Sequence, residues 1–74
     1  MSMQERYRRG LEARGYKLVK ATGKYLVFNK GNGGNNVYLG RAGAARIGQS
    51  TRASLPLSEA GKKIILSWAE EGGA

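Results

Sequence analysis

Two hydrophobic periods alternate along the chain. Met3, Tyr7 and Leu11 recur at i, i+4 and i+8, one stripe of a helix, with Arg6, Arg8, Arg9 and Arg14 off it. Ser2 supplies an N-cap and Glu5 completes a capping box, while Gly15 follows Arg14 as a C′ stop. Gly10 inside this helix should cost about 1 kcal/mol against Ala. The period then shifts towards two. Residues 16–20 alternate imperfectly, Ala21-Thr22-Gly23 offers a tight connection, and residues 24–30 form a strand whose centre, Tyr25 to Phe28, is apolar on both faces. That centre reads as the middle strand of a sheet, covered on at least one side. Residues 31–36, all Gly and Asn, tolerate positive φ and read as a hairpin loop rather than a linker. Val37-Tyr38-Leu39 is a third, short strand.

Residues 41–54 carry few large apolar groups. Either the chain turns at Gly43 and pairs Ala45 to Ile47 as a fourth short strand, or the segment is an ordered loop. Residues 49–54 read as polar connection and Pro56 ends it. Ser58 caps a last helix from about Glu59 to Glu71, with Leu57, Ala60, Ile64, Ile65 and Trp68 as its buried face and Gly72-Gly73 closing it. Glu59 can pair with Lys63, and Glu70 and Glu71, at the wrong end for the helix dipole, either meet a cation elsewhere or lie exposed. The expected fold is α+β: one small domain over residues 1–74, helix, three or four antiparallel strands, helix, with both helices on one sheet face and the other face open.

Length and composition narrow the chemistry. Seventy-four residues allow one thin core. No Cys and no His exclude a disulfide framework, a zinc finger, a thiol nucleophile and an imidazole base; no cofactor and no metal is expected. The apolar runs are too short to span a membrane, and no leader pattern opens the chain, so a cytoplasmic protein is expected. The five acids are all Glu and all fall in the predicted helices, so no carboxylate pair converges on a cleft. No spacing argues for a Ser–Lys pair, and no helix follows the Gly-rich loop to build a phosphate cradle. A non-enzymatic protein is expected.

Charge is the stronger signal. Thirteen Lys and Arg against five Glu give +8, of which residues 1–56 carry +9 and residues 57–74 carry −1. Such asymmetry draws a polyanion to the first three-quarters of the chain. Lys20 and Lys24 flank the first strand turn, with Lys17 and Lys30 towards the far end of that hairpin. Arg41, Arg46 and Arg52 recur through a small-residue stretch where a phosphate or carboxylate could approach the backbone. These seven are the expected partner-binding or nucleic-acid-binding residues. Tyr16, Tyr25 and Tyr38 interleave with them. Tyr25 and Tyr38 are candidates for stacking on unpaired bases, although any one tyrosine serves equally as an amphipathic core edge. Arg6, Arg8, Arg9 and Arg14 either extend the patch or form the solvated face of a helix.

The opening helix followed by residues 15–28, Gly-Tyr-Lys-Leu-Val-Lys-Ala-Thr-Gly-Lys-Tyr-Leu-Val-Phe, resembles the start of HicA-type toxins: a helix, Gly with an aromatic, a strand, a small-residue turn and a second strand. The resemblance covers roughly the first third of the chain and implies a helix–three strands–helix order similar to a double-stranded-RNA-binding domain. That family carries its catalytic His at the small-residue turn, where this chain has Ala21-Thr22-Gly23-Lys24. RNA binding by a basic face is what the resemblance leaves. In size, charge and lack of Cys the chain also resembles small host-takeover proteins of bacteriophages, some of which bind bacterial RNA polymerase. This implies a class of behaviour in a bacterial host cell and transfers no residue. Three functions are therefore expected in order. The first is a non-enzymatic regulator or inhibitor that docks its basic sheet-and-loop face on an acidic protein surface, or on nucleic acid held by a larger machine, transcription foremost. The second is a free-standing RNA- or DNA-binding module. The third is a degenerate toxin nuclease.

Overall fold

A computed structural model of the chain describes residues 2–31, 34–41 and 43–72. The elements run α1 (Met3–Ala13), β1 (Lys17–Ala21), β2 (Tyr25–Asn29), β3 (Asn36–Gly40), β4 (Ala45–Gly48), β5 (Ser54–Pro56) and α2 (Glu59–Gly72). The strands form one antiparallel meander in chain order, β1-β2-β3-β4-β5. Both helices cover one face of it. The fourth strand is present. A fifth, where the sequence reads as polar connection, carries the chain back along β4 to Pro56. The central strand is therefore β3, and β2 lies beside it.

Local chemistry accounts for the boundaries. Ser2 Oγ accepts the Glu5 amide at 3.2 Å and starts α1. At its end Gly15 takes φ 90°, its amide bonds Glu12 O at 3.1 Å, and the Tyr16 amide bonds Leu11 O at 3.0 Å. This is a Schellman cap, which brings Tyr16 back beside Leu11. The β1–β2 turn is an ST-turn: Thr22 Oγ1 accepts the amides of Lys24 and Tyr25 at 3.2 and 3.0 Å. The Gly/Asn hairpin is bridged by its two flanking asparagines, Asn29 Nδ2 donating to Asn36 Oδ1 at 2.7 Å and to Gly34 O at 3.1 Å. Asn32 and Gly33 of the expected loop lie outside the described residues, as do Ala42 and Gly73. Ser58 Oγ accepts the Gly61 amide at 3.1 Å and opens α2.

The core is built on the helix-covered face. Strand register aligns one residue from every strand in a single row, Leu18–Phe28–Val37–Ile47–Leu55. Its centre, Phe28 and Val37, is buried, but its ends are open: Leu18 is 40% and Leu55 73% exposed. The helices therefore cap the middle of the sheet and leave its flanks bare. Tyr7 and Leu11 of α1 and Ile65 of α2 complete the buried cluster.

α1 and α2 cross at Gly10. A Cβ on Gly10 would overlap the Ile65 carbonyl oxygen. The expected penalty of Gly10 thus overlooks its role: the missing side chain lets two backbones touch. This contact also rotates α2 from its expected face. Ala60 is exposed and Ile64 is half-exposed, whereas Ile65 is buried and Leu66 packs on the core. Glu59 pairs with Lys62 at 3.6 Å rather than with Lys63. Glu71 meets its cation, Arg14, at 3.4 Å across the two helix ends. None of the helices, among the described residues, is long and apolar enough to cross a membrane.

Candidate polyanion interface on the open sheet face

Alternation along the strands sends the other set of side chains to the uncovered face. Tyr25, Val27, Tyr38 and Arg46 lie there, Val27 opposite Tyr38 and Tyr38 opposite Arg46. In β1 the register slips between Leu18 and Lys20, making Val19 the extra residue of a bulge. Without that slip Lys20 would turn towards the helices. With it, Lys20 stands opposite Val27, on the open face.

These residues border a shallow concavity of about 420 Å³. Val19, Tyr25, Val27 and Tyr38 form its apolar base, and Lys20 stands at one side. Residues 49–51 of the β4–β5 loop, Gln, Ser and Thr, form the opposite wall together with Asn36. Tyr25 and Tyr38 meet edge-to-face, 5.8 Å between centroids at 76°. Tyr38 is 8% exposed and its hydroxyl accepts from Asn36 Nδ2 at 3.1 Å, so its ring mainly supports its neighbour. Half-buried Tyr25 is the ring a ligand could reach. Asn36 Nδ2 also reaches Gln49 O at 3.4 Å, fixing the loop wall to the sheet.

The seven expected partner-binding cations do not form one cluster. Alternation places Lys17 and Lys20 on the open face with Arg46. Lys24 and Arg41 occupy the two turns at one end of the sheet, and Arg52 lies in the loop at the other, beside Thr51. Arg41, Arg46 and Arg52 thus string along β4, in a turn, a strand and a loop. Arg46 is committed within the chain: its Nε donates to Ser54 Oγ at 2.9 Å and an Nη to Ser54 O at 2.7 Å. Ser54 is buried, so this fork holds β5 to β4. Lys30 turns to the helix side, 5.1 Å from the Tyr16 ring centroid. Tyr16 itself packs against the core and takes no part in the open face.

The helix arginines stand apart from this face. Arg8 pairs with Glu5 and Glu12 at 3.9 and 3.5 Å, and Arg14 with Glu71. Arg6 contacts Met3 Sδ at 3.7 Å. Every glutamate of the chain is on a helix, so residues 15–58 hold seven Lys and Arg and no acid, +7, while the remainder sums to +1. Sequence reasoning found the cations and both tyrosines. It missed Val19, Val27 and the amide–hydroxyl wall from Asn36 and residues 49–51, because a bulge and a loop fold-back leave no periodic signal. No family model, curated protein or solved structure matches the chain.

Proposed function

We propose that the chain is a small non-enzymatic protein that binds single-stranded nucleic acid across its open sheet face. One observation carries this reading: the acid-free layer of residues 15–58 surrounds an apolar concavity with a reachable tyrosine. A single strand offers both things that such a site satisfies, a phosphate chain for Lys17, Lys20 and Arg52 and an unpaired base for Tyr25. The amide and hydroxyl wall at Asn36 and residues 49–51 offers donors and acceptors to a base edge. A duplex hides its bases and has less use for the concavity. An acidic protein surface would meet the same cations but has no need of the ring. As the resemblance to bacteriophage takeover proteins implies, the strand would be one exposed by a larger machine of a bacterial cell, transcribing RNA polymerase first, and binding there would regulate or inhibit it.

The test is fluorescence anisotropy with a labelled oligo-dT and oligo-rU of twelve nucleotides, titrated over a range of salt. Log affinity should fall against log salt with a slope of about −0.7 per phosphate contacted. Unlabelled duplex should compete less well than unlabelled single strand. Undetectable binding at low salt, or binding indifferent to Tyr25→Ala, overturns the reading.

A further inference from the structure

On the opposite face, the uncovered flank of the apolar row forms a groove of about 270 Å³ between α2 and the sheet. Val37 and Ile47 make its floor, and Tyr16, Leu57, Ile64 and Trp68 line its sides. The floor continues on the sheet to Leu55, Ile47's partner on β5. Leu55 and Ile64 are 73% and 51% exposed, so a chain of net charge +8 presents bare aliphatic surface here. Hydration of such surface is unfavourable, and contiguous exposed apolar area marks a contact site.

The charge around this groove identifies what covers it. The two aromatic rings at its side each carry a cation: Arg14 is 5.1 Å from the Trp68 ring centroid, and Lys30 is 5.1 Å from that of Tyr16. Glu71, paired to Arg14, is the acid that comes to this end. A second copy of the chain would bring another +8 to a positive rim, which argues against self-association. We propose that the groove is a docking site for an acidic amphipathic helix of a partner protein. A few aliphatic side chains at i, i+4 and i+7 fill the groove, and flanking Glu or Asp meet Arg14 and Lys30. The chain is then two-sided, with nucleic acid on one face of the sheet and a protein on the other.

Trp68, the sole tryptophan, reports on this site. The full chain is titrated with a synthetic helical peptide bearing Leu at i, i+4 and i+7 between Glu residues, and with the same peptide carrying Lys for Glu. The Glu peptide should shift and saturate Trp68 emission, and the Lys peptide should bind at least about tenfold more weakly. Ile64→Lys and Leu55→Lys, both at exposed positions, should each weaken the Glu peptide by about tenfold or more, whereas Tyr25→Ala should leave it unchanged. Equal binding of the two peptides, or full binding by both Lys variants, overturns the proposal. So does concentration-dependent dimerisation in sedimentation that Ile64→Lys removes, since the occupant is then a second copy. Oligonucleotide anisotropy on the same Lys variants separates the two faces: retained strand binding with lost peptide binding supports the docking site independently of the open face.

Discussion

Gly10 and Ile65 meet backbone to backbone, with no room between them for even one methyl group. The two helices therefore sit in a rotation that presses Gly10 against the Ile65 backbone. That rotation buries Ile65 and leaves Ile64 facing the groove.

Gly10→Ala tests the contact. At an ordinary helix position the change gains about 1 kcal/mol. Here the added methyl must push the helices apart, which costs about 1–3 kcal/mol. Thermal unfolding followed by circular dichroism should show Tm lowered by roughly 5–20 °C. Gly23→Ala, where nothing lies within 4 Å of the new methyl, should leave Tm nearly unchanged.

Gly48→Ala should act on the other side of the sheet. Its Cβ would overlap Ala53 O and crowd Ser54, the β5 residue opposite it. The expected outcome is loss of the β4–β5 pairing ahead of global unfolding. Native-state hydrogen exchange should show faster exchange at β5 and at Leu57, whose amide bonds Ala45 O at 2.9 Å, with β2–β3 still protected.

Tyr25 and Lys20 separate the two contributions to strand binding. Tyr25→Ala should cost about 1–3 kcal/mol per stacked base at all salt concentrations. Tyr25→Phe keeps the ring and should bind nearly as well as the native chain. Lys20→Gln should instead flatten the salt slope by about 0.7, the loss of one phosphate contact. Anisotropy titrations of the three variants distinguish these outcomes.

Among the described residues, the Arg14 side chain has two partners and that of Glu71 has one. Their ion pair is exposed, with 50% and 68% of the side chains accessible, so Glu71→Gln should change stability by less than about 1 kcal/mol and less still at high salt. Arg14→Ala also removes the cation over Trp68, a further ~0.5–1 kcal/mol. Urea midpoints of the two variants at low and high salt should show Arg14→Ala as the costlier and the less salt-sensitive.

Residues with local signals were legible in the sequence. Ser2 and Gly15 mark α1, Thr22 marks the first turn and Ser58 marks the start of α2, while Ala45 to Ile47, legible as either a strand or an ordered loop, form the fourth strand. What escaped was set by contacts between distant segments. Ser54-Leu55-Pro56 is too short and too polar at its start to read as a strand, and only its register against β4 makes it one. The buried side of α2 depends on Gly10, fifty-five positions before Ile65, so periodicity alone put Ala60 and Ile64 inside. For the candidate site, the cations were evident but their grouping was not. Arg46 is occupied by Ser54, Lys30 by Tyr16, and the bulge at Val19 decides which way Lys20 points.

The outermost strands also bear on how the molecule behaves in a crowd. A meander ends in two rows of unsatisfied amides and carbonyls, a template on which like chains could stack into fibrils. Here one border is kinked at Val19 and flanked by lysines, and the other is three residues long and finishes in a proline that has no amide hydrogen to offer. Neither border gives an incoming strand a straight run, so the same slip that aims Lys20 also disfavours strand addition along β1.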